Sequence, residues 1–307
     1  MQVHCLGILV TDIIVKTVDR YPVRGKLRLV DDIKLCSGGC AANTGIDLAK
    51  LGVKTRVMGK LGENGFGDFL INTCRKHGLD VQGIVRDNSV GTSTTIVMVH
   101  SDGERSFLHS LGANAQFCAD DININLLIEC QILHIAGFFL LPKLDGLPVA
   151  SLLKKAKEAG TITSLDTAWD ARGRWMKLLE PCLPYLDIFL PSIEEARMIT
   201  DAETVEEIAK ILIDKGVKIV GLKMGKKGCY IRTKSTKIRI PAYPVEVIDT
   251  TGAGDAFVAG FLTGILKKWP LEKTGRLANA AGALSTTAIG ATDGLVSLEK
   301  TLEFVNK

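Results

Sequence analysis

The chain has 307 residues, of which 46% are hydrophobic and 23% charged, and its formal net charge is +4. That length supports a large core, and the composition is that of a globular protein. So slight a charge gives no reason to expect nucleic acid or membrane as a partner.

Residues 1–10 contain no basic side chain and Asp12 follows at once, which reads as a buried first strand over 3–10 and not as an export signal. Asp12 then sits just past a strand end, where open α/β sheets bind ligands, and its carboxylate can accept from two adjacent hydroxyls. Residues 13–35 have polar alternation and turns but no helix. Next comes Ser37-Gly38-Gly39-Cys40-Ala41-Ala42-Asn43, which opens a helix predicted over 40–51. Paired glycines there permit close approach of a ligand, and Asn43 offers a donor and an acceptor.

A strand is predicted at 55–58 and a helix at 66–76. Residues 91–109 again read as strands and turns, with Arg105 and His109 placed to meet an acidic substrate. The two irregular regions, about 13–35 and 91–110, are expected to pair into a small sheet over one end of the main body and to act as a lid. The remaining strands are predicted at 132–135, 162–165, 188–190 and 218–223. The helices are predicted at 148–158, 193–199, 205–215, 256–267 and 271–287. This alternation predicts a three-layer αβα fold on a mainly parallel, doubly wound sheet, with residues 1–307 as one domain and the lid inserted in it.

The eight cysteines are scattered with no Cys-x-x-Cys pair, so reduced thiols and a cytoplasmic location are expected. Cys36 and Cys40, the one close pair, have no further metal ligands nearby and read as small apolar fillers. Asp166 and Asp170 follow a strand, with Arg172 and Arg174 beside them, and read as a capping salt-bridge cluster, with a supporting role towards phosphate or substrate at the strand end as the alternative. Pro191-Ser192-Ile193-Glu194-Glu195 opens a helix that Ser192 would cap. Lys223-Met224-Gly225-Lys226-Lys227-Gly228 turns between strand candidates and begins a basic stretch, which is either a solvated hairpin or a positive rim near phosphates. Ala278-Asn279-Ala280-Ala281-Gly282-Ala283 is a helix of small residues.

The run Asp249-Thr250-Thr251-Gly252-Ala253-Gly254-Asp255-Ala256-Phe257 carries the most chemistry. It turns an extended segment into a helix predicted to be amphipathic, with Phe257, Phe261 and Ile265 on its packed face. Amides at such a start bind anions, and glycines let a phosphate reach the backbone. An Asp beside that anion hole can take a proton from an attacking hydroxyl.

This run closely resembles the C-terminal signature of the ribokinase-like (PfkB) carbohydrate kinases, and the other landmarks follow in family order over nearly the whole chain. The resemblance implies a kinase that transfers the ATP γ-phosphoryl to a sugar-like hydroxyl with Mg²⁺. It makes Asp255 the catalytic base and Gly252, Ala253 and Gly254 the anion hole. It gives Asp12, Gly38, Gly39 and Asn43 to the substrate, and Lys223, Gly225, Gly228, Asn279 and Ser192 to the nucleotide. It places Glu195 near Mg²⁺ through water. Asp249, Thr251, Ala288 and Gly290 match a monovalent-cation (K⁺) site found in some members, and members often dimerise through the lid.

Departures from ribokinase proper are Cys40 for Lys, Ala41 for Gly, Ser192 for Asn and Lys223 for Thr. Cys40, together with Gly137-Phe138-Phe139, suggests a sugar or sugar acid other than ribose. A nucleoside kinase of the same fold is an alternative, disfavoured by only 6% aromatic residues. A non-catalytic sugar sensor is another, and the intact Gly252–Asp255 run argues against it. A Rossmann dehydrogenase lacks its Gly-x-Gly-x-x-Gly after the first strand.

Overall fold

A computed structural model describes residues 1–306. In chain order its first strands and helices are β1 (Val3–Gly7), β2 (Val10–Lys16), β3 (Asp32–Gly38), α1 (Cys40–Lys50), β4 (Thr55–Gly62), α2 (Gly65–Lys76) and β5 (Asp80–Asp87). Then come β6 (Thr94–Val99), β7 (Arg105–Ser110), α3 (Ile124–Leu127), β8 (Ile132–Phe138), α4 (Leu147–Glu158), β9 (Ile162–Thr167), α5 (Trp175–Leu179) and β10 (Ile188–Phe189). The rest are α6 (Ile193–Thr200), α7 (Val205–Asp214), β11 (Ile219–Lys223), β12 (Cys229–Arg232), β13 (Lys237–Ile240), α8 (Ala253–Leu266), α9 (Leu271–Ser285) and α10 (Leu298–Val305).

Nine strands form the main sheet in the order β13-β12-β11-β10-β9-β8-β1-β4-β5. All pairs from β5 to β11 are parallel, and the β12–β13 hairpin closes one edge antiparallel. Side chains alternate across the pleat, so each central strand feeds two cores. Leu6 of β1 joins Leu133, Leu165, Leu152 and Leu212 on the face covered by α4 and α7. Val3 and Cys5 join Ile46, Leu48, Phe257 and Phe261 on the face covered by α1 and α8. This is the expected three-layer αβα architecture. The chain leaves β1 towards β4 on one side and returns to β8 on the other, so the strand order reverses at β1 and leaves a crevice at the strand ends there.

The lid expectation holds in its main point. β3, β2, β6 and β7 form a separate four-stranded sheet, and the two irregular regions meet where β2 runs parallel to β6. The first strand differs from its prediction. It stops at Gly7, and Val10 already belongs to the lid, so Asp12 lies on a lid strand and not in a loop. Only Ile8 and Leu9 separate the two sheets.

Two further differences have packing causes. α8 begins at Ala253, three residues before its predicted start, and it is buried on nearly every side instead of being amphipathic. α9 lies so close that a Cβ on Gly260 would stand 2.8 Å from the Ala278 Cα. Phe138 and Phe139 are buried in the core, so they are not offered to a substrate. Among the described residues, no helix is long and apolar enough to cross a membrane.

Candidate active site at the start of α8

The N-terminus of α8 is a partition between two cavities. One, of about 610 Å³, is lined by Lys223, Gly225, Gly228, Tyr243, Pro244, Val245, Thr250, Ala253, Gly254 and Asn279. The other, of about 1170 Å³, lies under the lid and is lined by Asp12, Gly39, Cys40, Asn43, Thr95, Arg105, His109, Trp169, Asp249, Thr251, Gly252 and Asp255. Successive residues of one loop thus face opposite chambers.

Local geometry explains the glycines. Gly252 caps α8 with φ 77°, a left-handed conformation, and a Cβ there would collide with the Ala291 carbonyl. Gly39 has φ 88°, and a Cβ on it would lie 2.5 Å from the Ile8 carbonyl oxygen. A Cβ on Gly38 would strike the Asp12 carboxylate. The last two glycines thus seat α1 against the β1–β2 connection and let Asp12 lie flat. The Ala253 amide is turned back to the Thr250 carbonyl at 3.2 Å. Among the described residues, the amides of Gly252, Gly254 and Asp255 have no such backbone acceptor, so an anion would meet those three. Of the amides predicted to form the hole, those of Gly252 and Gly254 are free of a backbone acceptor and that of Ala253 is not.

Asp255 and Asn43 are 212 positions apart, yet the Asn43 amide donates to Asp255 Oδ2 at 2.9 Å. Burial raises the Asp255 pKa above the usual carboxylate value, while Asn43, Lys223 and the Cys40 thiol each oppose the rise. Cys40, where ribokinase has Lys, therefore stands beside the candidate base. Burial keeps the Cys40 thiol itself well above its usual pKa and hence protonated.

Asp12 heads a lateral row of side chains on the lid. The register sets it between Cys36 on β3 and Thr95 on β6, and Thr95 faces His109 on β7. All four line the larger cavity. Burial raises Asp12 to about 6, with Thr95 opposing. The His109 ring bonds Thr95 Oγ1 at 3.0 Å. Arg105, predicted to meet an acidic substrate, instead reaches across the cleft to Asp249 at 2.8 Å and to Thr251 Oγ1 at 2.5 Å.

On the smaller cavity, Lys223 Nζ contacts both oxygens of Asp166 at 2.7 and 2.8 Å. Burial lifts the Asp166 pKa and Lys223 opposes this. Burial likewise disfavours charge on Lys223, but Asp166, Glu195 and Asp255 outweigh it and raise its pKa. A 2.7 Å contact with two oxygens favours the ionised pair, so Lys223 is a fixed positive charge. Its Nζ would stand 3.3 Å from a Cβ on Gly254. The expected grouping of Asp166 with Asp170 and the two arginines therefore splits. Asp170 takes Arg174 and the backbone of the turn, while Asp166 belongs to the site.

Ser192 is spent as a helix cap. Its hydroxyl accepts from the Glu195 amide, and Glu195 Oε2 accepts from the Ser192 amide at 3.0 Å and from Thr167 Oγ1 at 2.9 Å. It does not line the smaller cavity. Asn279 lines it, but its amide nitrogen donates to the Ile240 and Pro241 carbonyls and so shapes the wall. Among the described residues, no group of three or more His, Cys, Asp or Glu side chains is placed to hold a metal ion.

Sequence reasoning did not single out Trp169 or Thr95, set Arg105 against an acidic substrate, and preferred a salt-bridge cluster to a supporting site role for Asp166. Trp169 is half-exposed, lines the larger cavity, and stacks edge-on to Trp175 at 4.9 Å. Its place soon after a strand end was the available signal.

A profile of the pfkB family carbohydrate kinases matches residues 2–298. The chain belongs to this family. A protein of Arabidopsis thaliana described as probable fructokinase-5 is 32% identical over 274 residues, covering 84% of each chain. Among solved structures, this carbohydrate kinase is similar to an Arabidopsis thaliana ribokinase complexed with ribose and ATP (25% identity, TM-score 0.87, 100% of this chain and 99% of that one). It is also similar to a Thermotoga maritima ribokinase (26% identity, TM-score 0.87, 100% of both chains). Its enzyme class is that of an ATP-dependent carbohydrate kinase.

Proposed function

We propose that this kinase binds MgATP in the smaller cavity and a neutral sugar in the larger one, and passes the γ-phosphoryl between them across the start of α8. The single observation that carries this reading is the partition itself. Asp255 faces the sugar side, Gly254 and Lys223 face the nucleotide side, and free amides point between them.

Asp255 takes the proton of the attacking hydroxyl, held in position by Asn43. The Gly252, Gly254 and Asp255 amides stabilise the charge that develops on the transferred group, and Lys223, held in place by Asp166, offers an ammonium donor on the nucleotide side. Gly225 and Gly228 let the nucleotide approach the turn closely. Glu195 would meet, through water, the Mg²⁺ that accompanies ATP, which would supply neutralisation of the phosphates. Asp12 and Asn43 orient the sugar hydroxyls, Trp169 covers an apolar sugar face, and the lid excludes water.

A neutral sugar is favoured because Arg105 is already paired and so is not free for a substrate carboxylate. The fructokinase relative puts ketohexoses first among candidates. An ADP-release assay over ketoses, aldoses, aldonic acids and nucleosides tests this. Turnover of a ketose or aldose above all others supports the reading, and preference for an acid or a nucleoside overturns it. We further propose a homodimer through the outer lid face, where Ile33, Leu35 and Leu108 are exposed.

A further inference from the structure

The family resemblance suggests a monovalent cation at Asp249, Thr251, Ala288 and Gly290. The contacts at Asp249 do not fit one. Its Oδ1 accepts from the Thr251 amide at 2.8 Å and from Arg105 at 2.8 Å, and its Oδ2 accepts from the Gly290 amide at 3.0 Å. The Thr251 hydroxyl accepts from the same guanidinium. Asp249 is buried, with only 3% of its side chain exposed, so the oxygen that would anchor an ion is already taken by a positive group. Arg105 is the first residue of β7 in the lid, whereas Asp249 lies 144 positions further on, in the loop that leads into α8.

We propose that Arg105 is a built-in cation, which neutralises Asp249 in place of a monovalent metal and arrives at the anion-hole loop only when the lid is down.

The need for such a charge follows from position. Asp249 lies three residues before Gly252, whose amide helps to form the anion hole. An uncompensated carboxylate there would repel the phosphoryl group that the amides are meant to hold. A guanidinium cancels that charge and, through its planar fork, also fixes the Thr251 hydroxyl, which a spherical ion does less specifically. The charge is carried by a lid strand, so closure over the sugar and completion of the hole become one event. The same lid row carries Lys16 and Val99 beside Arg105, so the neighbouring strands hold the arginine in register. Arg105 is thus a positioning residue, acting through Asp249 and Thr251 and not on the reacting atoms.

The inference rests on the kinase reading, so its test has an arm that needs no turnover. Initial rates and melting temperatures are measured in choline chloride and in KCl at equal ionic strength, for the wild-type chain, Arg105→Met and Arg105→Lys. The wild type should show rates within about twofold and equal melting temperatures in the two salts. Arg105→Met should lose about 100-fold in kcat in choline, and regain at least about tenfold with KCl or with guanidinium ion added at tens of millimolar. Its melting temperature should rise in KCl relative to choline, and Arg105→Lys should keep most of the activity.

A wild-type rate that climbs tenfold on adding KCl would overturn the proposal. So would Arg105→Met activity equal to wild type in choline, or a deficit that neither K⁺ nor guanidinium moves. A chain that turns over no sugar at all still reports through melting, so a wrong activity and a wrong role for Arg105 give different results.

Discussion

The main sheet and the lid sheet are built on different terms. β1, β8 and β9 are buried on both faces between two helical layers, and what they hold is held from every side. The lid has one face on the cleft and leaves Ile33, Leu35 and Leu108 exposed on the other. The charged machinery follows that division. Asp255, Lys223, Asp166 and Glu195 sit on the main body, where the proposed phosphoryl transfer needs fixed distances. Asp12, Thr95, His109 and Arg105 sit on the lid, over the chamber proposed for the sugar. The difference predicts that damage to the body should appear mainly in kcat and damage to the cleft face of the lid mainly in KM. Arg105 is the exception, because it reaches the body.

The largest test is Asp255→Asn. It should lower kcat by about 1,000-fold or more while ATP affinity, read by calorimetry, stays within a few fold. Activity within tenfold of wild type would remove Asp255 as the base.

Next is the buried pair on the nucleotide side. Lys223→Met combined with Asp166→Asn, so that no buried carboxylate is left unpaired, should fold and lose about 100-fold in kcat/KM for ATP. Unchanged kinetics in a folded double variant would make the pair purely structural.

On the lid, Asp12→Asn should raise the sugar KM about tenfold and change kcat little. It also has a stability signature. Burial raises Asp12 to about 6 in the folded chain, so the fold binds that proton more tightly than the unfolded chain does. The resulting penalty builds as pH rises from about 4 to about 6 and is constant above. The asparagine variant should therefore melt a few degrees higher at pH 7 to 8 and match the wild type near pH 4. A melting difference that does not depend on pH would contradict this. In the wild type, loss of ionised Asp12 should make kcat/KM fall below about pH 6, higher than an ordinary aspartate would give, and the raised pKa of Asp255 acts in the same direction.

The smallest effect concerns the outer lid face. Leu108→Glu should shift the species seen by light scattering from dimer to monomer, with kcat changed less than threefold. A wild-type chain that is monomeric at tens of micromolar would end the dimer proposal.

Much of this division was legible in the sequence because its signals are local. The Asp249 to Asp255 run, the paired Gly38 and Gly39, and the helix-free stretches that became the lid can all be read within a few residues. Asp12 was found, but its strand was not, since only Ile8 and Leu9 mark the break between two sheets. The early start of α8 was hidden by Gly252-Ala253-Gly254, whose helix propensity is low until the free amides find a use. The long-range pairs were out of reach. Asn43 with Asp255, Lys223 with Asp166 and Arg105 with Asp249 are set by topology, and a charged residue alone does not name its partner. Ser192 was assigned to the nucleotide from the family pattern, although the capping box that its own sequence spells is what forms.

The two-residue link from β1 to β2 bears on attempts to broaden the substrate range. The strand carrying Asp12 is tied directly to the middle of the main sheet, so it cannot be exchanged or shifted without disturbing the central strand. β7 and the turn before it have no such tether, and His109 and Phe107 reach the same chamber from there. A library that randomises those two positions while keeping 8–12 and Arg105 fixed would vary the chamber wall without touching the central strand.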